Sequence, residues 1–593
     1  MCGIGGILFS RDNGQTLYHR VSKIAQAQLH RGPDEQQILV KGNHGFCHQR
    51  LAIIDRQGGK QPFFDHTGRY LILYNGEVYN YKALRQQLAG RYAFVSNSDT
   101  EVVLAAYLIW GEDCLDKFIG MFSFLIWDSL SQTGFAARDP LGVKPFVYYS
   151  FNGAFLFASE TKAILSCLST KPKIDHQSIV EYVVAPMLSG VEHSVFQGIS
   201  YLGAGEKLFV SRDRISKKKY INFNISASGQ ALEIYVQQLR SALEESVKLS
   251  VVSDLPVGVF LSGGLDSSIL SSLAMKVKAE NFKAFTIAFE NHSQLLFDEN
   301  SIVNSDDFPY AKHLATTLGF PMVSVTASLE GIAKALRTVA GINDRIPAWE
   351  QEISQHFLSK AASKEFKSVL VGDAADETNY GYFFLLNKAV NYSPLGLIKH
   401  FGGDKRTCLL SERLRKLMHP FQYLDEKYTR LVEDNGYTFA GSNEDRVMAM
   451  SCLVYKLWLG RLLHHGDIHT MYFGLEARVP FANQNVLDVV RGIGHHLGFR
   501  QQNEKYVLKL AAKGLIPEPI IQRKKSALPR DPRLGKVYQE ILKQLVSKEQ
   551  GFVDAYLDKK ALLSLCEISK IEENDRMILF NMVSLLYWAK QYA

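Results

Sequence analysis

The sequence predicts an α/β chain of two domains, and three observations carry that prediction. At 593 residues the chain exceeds what one hydrophobic core organises. From residue 1 to about 205, short apolar or alternating runs such as "YLILYNGEVYNY", "FSFLIWDS" and "FVYYSFNGAFLFAS" are broken by Gly, Asn and Asp. That is the texture of a strand-rich domain with hairpins. From 231 to 593, "ALEIYVQQLRSALEESVKLSVV" has apolar residues at helical spacing, and "VGVFL" and "KAFTIAF" read as buried strands with helices between them. The alternation predicts a doubly wound parallel sheet, followed by a mostly helical C-terminal part beyond about residue 400.

Residues 206–230 are polar, basic and aperiodic after a short strand, and are expected to be the linker. Within the first domain, helical spacing enters at "DTEVVLAAYLIWG", with Asp99 and Thr100 as expected N-terminal capping residues and Gly111 as the stop. Composition fits a folded globular protein, with 46% hydrophobic and 21% charged residues. The net charge of +7 is small for this length, and the basic residues are scattered apart from runs such as Lys217 to Lys219 and Arg523 to Lys525. A nucleic-acid partner is therefore not expected, and a polyphosphate site would explain the excess.

The seven cysteines are odd in number and show no CxxC pair, which points to a reduced, cytoplasmic setting. The apolar run "VVLAAYLIW" is about half of the roughly 18 to 20 residues a spanning helix needs. Arg11 and Asp12 interrupt the apolar start, so neither a signal peptide nor a membrane partner is expected.

The chain opens "MCGIGG". Removal of the initiator Met would leave Cys2 with a thiol and a free α-amine, and an amine titrating near 8 can serve as base for its own thiol. Alone, Cys2 reads equally as a small buried residue at a strand start. The segments "HQRLAIID", "YNGEVYN" and "SDTE" favour chemistry. They supply Arg50 for a carboxylate, Asp99 for an ammonium, and Asn75 with the Gly76 amide for an oxyanion, a set suited to an amino acid amide.

A second centre is expected at "FLSGGLDSS", 260–268, between a strand and an apolar helix. Its glycines let the backbone turn tightly and offer amides to phosphate oxygens, helped by Ser262, Ser267, Ser268 and the helix start. It lacks the GK[ST] ending of a Walker loop. A third stretch, "VGDAADE" at 371–377, gathers Asp373, Asp376 and Glu377 around one glycine. Alone it is an acidic turn of an ordinary kind.

The segments "MCGI", "RGPDE", "RLAIID", "QPF", "YNGEVYN" and "SDTE" resemble the glutaminase domain of the class II, N-terminal-nucleophile glutamine amidotransferases. The resemblance implies a four-layer α/β/β/α sandwich in which Cys2 attacks the glutamine amide. Arg50, Leu51, Ala52, Ile53, Ile54, Asn75, Gly76, Glu77 and Asp99 would hold that substrate. "ARDPLGVKPFVYY" and "FASETKAIL" match later segments of those enzymes, with Pro140 and Leu141 in place of the usual pair. The SGGxDSS loop resembles the pyrophosphate loop of the ATP pyrophosphatases.

That order of parts, with "MYFGLEARVPF" at 471–481 and "DDFPYAKHLATTLG", resembles the asparagine synthetase family over almost the whole chain. The resemblance implies ATP contacts from Leu261, Ser262, Gly263, Gly264, Asp266, Ser267, Ser268, Ile287, Val371 and Gly372, and Mg²⁺ held by Asp266 and Asp376. It also implies a role for Asp373 in forming the acyl-adenylate and receiving ammonia, and for Lys505 of "NEKYVLK" in neutralising charge. Ala374 stands where the family often has Gly.

The implied partners are small molecules, namely glutamine and either aspartate or another carboxylate; a homodimer is left open. The implied reaction joins ammonia, carried through a buried tunnel, to an acyl-AMP. Aspartate is the first expectation for the acceptor, with another carboxylate as the rival and a β-lactam synthetase-like ring closure behind it. Three departures feed the rival: 291–305, "NDRIPAWEQE" at 343–352, and "SAL" at 526–528. The cluster of His464, His465 and His469 is expected to be surface or core, not a metal site.

Overall fold

The computed structural model describes residues 2–222, 224, 229–278, 280–290, 306–342, 345–526, 531 and 533–593. The stretch 291–305, Asn343, Asp344, Ala527 and Leu528, all singled out above, lie outside the described residues.

Twelve strands build the first domain: β1 (Cys2–Leu8), β2 (Glu35–Lys41), β3 (His44–Arg50), β4 (Phe63–Phe64), β5 (Tyr70–Val78), β6 (Gly120–Asp128), β7 (Thr133–Arg138), β8 (Val147–Phe151), β9 (Ala154–Ala158), β10 (Ile199–Tyr201), β11 (Glu206–Val210) and β12 (Ile215–Lys219). They form two sheets, ordered β10-β8-β9-β1-β3-β2 and β12-β11-β7-β6-β5-β4. Strand periodicity explains the layering. Ile4, Leu8, Phe46, Leu71, Leu73, Leu125 and Trp127 share one core between the sheets. On the outer face of the first sheet, Ile7 and Cys47 pack with Leu17, Val21 and Ile24 of the helix Gly14–Ala27. On the outer face of the second, Ile72, Tyr74, Phe124 and Ile126 pack with Val102 to Ala106 of the helix Asp99–Trp110. Strands buried on both faces read as continuous apolar runs. The result is an α/β/β/α sandwich.

The linker expectation is corrected here. Residues 206–219 are not linker: β11 pairs with β7, and β12 pairs with β11. The basic run Lys217 to Lys219 lies on an edge strand, where charged side chains face water and hide the strand from a periodicity reading. The connection begins at Tyr220, and the next helix is Leu232–Ser250.

The second domain holds β13 (Val257–Phe260), β14 (Ala284–Phe289), β15 (Met322–Ala327), β16 (Ser368–Leu370) and β17 (Glu476–Arg478) in the order β15-β14-β13-β16-β17. All four pairings are parallel. Strand order reverses between β13 and β16, so the chain leaves their C-terminal ends in opposite directions and opens a crevice there. "SGGLDSS" follows β13 and "VGDAADE" follows β16, so both fall at that switch point. Between residues 380 and 593 the described chain is helical except for β17. No described helix is long and apolar enough to cross a membrane.

Candidate active site

The pocket at the end of β1 is lined by Cys2, Arg50, Leu51, Ile53, Ile54, Gly59, Gln61, Tyr74, Gly76, Glu77, Ser98, Asp99 and Thr100. Antiparallel pairing of β1 with β3 sets Cys2 opposite Arg50 and Ile4 opposite His48. Of the residues expected to bind glutamine, Ala52 and Asn75 lie behind the lining. The Ala52 N–H donates to Oδ2 of Asp34 at 2.8 Å. Asn75 accepts at Oδ1 from the Cys2 nitrogen at 3.0 Å, and its buried Nδ2 has no hydrogen-bond partner among the described residues. An amide donor left open beside a thiol is placed to meet an oxyanion. Gly76 is required by close approach: a β-carbon there would lie 2.2 Å from the Met121 carbonyl oxygen.

Arg50 is held by the loop that follows it, donating to the carbonyls of Asp55 at 2.7 Å and Arg56 at 2.9 Å. Asp99 is buried and accepts at Oδ2 from the Tyr74 hydroxyl at 2.8 Å and the Val78 N–H at 3.2 Å. The helix cap is Ser98, whose side chain accepts from the Thr100 N–H, so Asp99 is the first helical residue rather than the cap; Gly111 ends the helix as expected. Burial pushes the Cys2 thiol up, but His48, the N-terminal amino charge and the Leu51 backbone together outweigh it and hold the thiol at about 6. His48 was passed over in the sequence. Its signal was its place two residues before Arg50 on an alternating strand.

At the switch point, Gly263 takes a left-handed φ of 74°, and a β-carbon there would lie 2.5 Å from the Ala311 nitrogen. Only glycine fits both conditions. The Ser267 hydroxyl accepts from the Ser262 N–H at 3.1 Å, the Ser262 hydroxyl accepts from the Gly264 N–H at 3.3 Å, and the helix Leu265–Val277 begins with Asp266 in its first turn. Leu261, the residue after β13, and Ile287 on the adjacent strand β14 are both buried. Gly372 meets this loop: a β-carbon on it would lie 3.3 Å from Cβ of Asp266 and from the Ser267 nitrogen. Val371 is fixed by its N–H donating to the Arg478 carbonyl at 2.9 Å.

The Lys505 ammonium lies 2.6 Å from Asp266 and 2.6 Å from Asp376, and Lys525 also pairs with Asp376. Burial, with Asp376 and Asp266 nearby, raises the Asp373 carboxyl to about 6. Burial and the Asp376 charge push Glu377 up to about 7 while Tyr382 donates to it. Two residues here take left-handed backbone without being glycine: Ala374 at φ 72° and Lys505 at φ 54°. Such conformations cost roughly 1–2 kcal/mol each and concentrate at functional sites. The sequence reading missed Lys525 and Arg523, the latter paired with Asp307 at 2.5 Å and donating to the Gly263 carbonyl at 3.3 Å. Their only signal was the short basic run that contains them.

Asp266 and Asp376 fit a divalent cation: one lysine bridges them, and Oδ1 of Asp266 is buried without a hydrogen-bond partner among the described residues. His464, His465 and His469 are buried, and His465 and His469 pair with Glu352 at 2.9 and 3.1 Å. They belong to the core.

The two centres are joined through the interior. Arg31 donates to the Cys2 carbonyl at 3.1 Å and to Oδ2 of Asp467 at 2.6 Å. The preceding residue, Gly466, packs so that a β-carbon would lie 3.2 Å from Oδ2 of Asp373.

Fold and sites together define a glutamine amidotransferase domain joined to a nucleotide-site synthetase domain. Residues 1–221 match the glutamine amidotransferase domain model, and residues 238–590 match the asparagine synthase model. The chain belongs to the asparagine synthase family. It is 30% identical to asparagine synthetase [glutamine-hydrolyzing] 3 of Bacillus subtilis, over 96% of this chain and 93% of that one. It is also 30% identical to synthetase 1 of the same organism, with the same coverage. With asparagine synthetase B of Escherichia coli it shares 26% identity over 93% of this chain and 85% of that one.

Proposed function

We propose that the chain forms an amide from a carboxylate, using ATP to activate it as an acyl-AMP and glutamine as nitrogen donor, with aspartate as the acceptor and asparagine as the product. The observation that carries this reading is the Cys2–Arg31–Asp467 chain of hydrogen bonds, which ends beside Gly466, the residue that packs on Asp373. The relatives' names support aspartate. We place the amidotransferase domain at about 1–221 and the synthetase domain from 232 onward. All seven cysteines are free thiols, in keeping with a cytoplasmic enzyme.

In this mechanism Arg50 binds the carboxylate of glutamine and Asp99 its ammonium, while the Cys2 thiolate attacks the side-chain amide. Asn75 Nδ2 and the Gly76 N–H receive the oxyanion, and ammonia leaves as the thioester forms. Ammonia exposed to water would be protonated and lost as a nucleophile, so its passage is assigned to the interior between the two sites, where Asp467 and Gly466 lie. At the second site the acceptor carboxylate attacks the α-phosphorus of ATP. The amides of Gly263 and Gly264 and the hydroxyls of Ser262, Ser267 and Ser268 hold the pyrophosphate. Lys505 offsets the charge that develops. Asp373 accepts a proton as ammonia attacks the acyl carbon of the acyl-AMP, the carbon–oxygen bond to phosphate breaks and AMP leaves, giving the amide. Mg²⁺ would be held by Asp266 and Asp376, where it would neutralise pyrophosphate charge.

A second acceptor is favoured by one observation. In the segment that departs from the family pattern, Trp349 is buried with its ring 5.5 Å from His465 and 6.0 Å from Trp458, and Glu352 beside it binds two histidines. This segment is bulkier and more charged than small residues would make it, and supports an acceptor that differs from aspartate in shape or charge. Ring closure without glutamine is disfavoured by the intact thiol pocket. Pyrophosphate release with glutamine, Mg-ATP and a panel of carboxylates decides. Stimulation by aspartate above the others supports the first reading, and stimulation by another acid with none by aspartate overturns it.

A further inference from the structure

Outside both sites, a glutamate and two histidines meet on the surface of the helical part. Glu444 sits in the first turn of the helix Asn443–Leu453, whose start is fixed by reciprocal capping between Ser442 and Asp445. His495 and His496 open the short helix His495–Gly498. Nδ1 of His495 lies 3.2 Å from Oε1 of Glu444, and the two imidazoles stand 5.9 Å apart at 82°. One donor atom from each of the three residues lies within 4.8 Å of the others, and no other such group is found among the described residues. Glu444 and His496 are exposed and His495 is half-buried, so an ion has free access.

A surface Glu–His ion pair contributes little by itself and accounts for only two of the three residues. Two imidazoles and a carboxylate are the donors that borderline divalent ions prefer. Zinc binds such atoms at roughly 2.0–2.2 Å with water in a fourth position, a closure that side-chain rotation at an exposed site can supply. We propose that Glu444, His495 and His496 form a binding site for a transition-metal dication of the zinc type.

The site bears on catalysis through the segment that follows it. The Tyr380 hydroxyl donates to the Ile493 carbonyl at 2.8 Å, and the Lys505 N–H donates to the Tyr380 carbonyl at 3.2 Å. Gly498 packs so tightly on the Tyr380 ring that a β-carbon would lie 2.2 Å from a ring carbon. A bound ion therefore ties the helix Asn443–Leu453 to the segment that delivers Lys505 to Asp266 and Asp376.

The test is titration of the full-length protein with Zn²⁺, and with Co²⁺ for its visible absorption, in buffer containing excess Mg²⁺. Glu444→Gln, His495→Gln and His496→Gln are each expected to weaken binding at one site by at least about tenfold. Without metal the three variants should melt with the wild type. Added Zn²⁺ should slow amide exchange over 493–505 in the wild type and not in the variants. Titration curves unchanged in all three variants, including the case where the metal binds only at Cys2, overturn the proposal, as does a wild type that binds neither ion.

Discussion

Arg478 and Glu77 form a buried ion pair between the two domains, Nη2 to Oε1 at 2.5 Å. Glu77 lines the Cys2 pocket, while the Arg478 backbone carbonyl accepts from the Val371 N–H at the head of the acidic turn. Arg478 also pairs with Glu476. Arg478→Met removes the cation that the buried carboxylates of Glu77 and Glu476 share and is expected to destabilise the protein on the order of 3–5 kcal/mol. Glu77→Gln leaves Arg478 paired with Glu476 and should cost less. Denaturant melts of the two variants check the ranking; equal losses would contradict it.

The glutaminase activity should follow the Cys2 thiolate. With the thiol at about 6, kcat/KM for glutamine should be flat above that pH and fall about tenfold per unit below it. His48→Ala removes a lowering influence and should move the limb upward. Iodoacetamide alkylation against pH reads the same titration without catalysis, and a limb unmoved by the substitution would count against His48.

Asp373 trades stability for chemistry. Its raised carboxyl binds its proton more tightly in the folded state, so its contribution to stability is present at acid pH and is lost as pH rises through about 6. Asp373→Asn should therefore melt higher than the wild type at pH 8, with the gain vanishing near pH 4. The same variant should lose about 10²–10⁴-fold in ammonia-dependent synthesis. Parallel melts and product assays at both pH values check the pair of effects.

Lys505→Met removes the cation shared by Asp266 and Asp376. Pyrophosphate release should fall about 10²–10³-fold with glutaminase activity unchanged, because Lys505 lies in the other domain. Steady-state assays of both half-reactions on one preparation measure the split.

The strand-rich first domain and the parallel sheet were legible because strands buried on both faces give apolar runs that survive in sequence, as in β5 and β6, while the four-layer sandwich was implied by the resemblance alone. The linker boundary was not, because β12 is an edge strand whose lysines face water. Cys2, Asn75, Gly76 and Asp99 were legible from short motifs, since each motif lies within one strand end or turn. His48 depends on strand register, and Arg31 and Lys525 reach Asp467 and Asp376 across 436 and 149 residues through tertiary packing, so the motif and the basic run that contain them do not show what they touch. The meeting of "SGGLDSS" with "VGDAADE" follows from β13 and β16 being neighbours, which the strand order sets and the sequence spacing does not.

The central claim is that nitrogen released at Cys2 reaches Asp373 without entering solvent. The direct measurement uses amide-¹⁵N glutamine, Mg-ATP and acceptor in an excess of unlabelled ammonium, with mass analysis of the amide product. The account predicts that the wild-type product keeps the glutamine label, and that Cys2→Ala makes only unlabelled product from free ammonium. Label diluted to the level of bulk ammonium, or a Cys2→Ala protein that makes no product from ammonium, would contradict it.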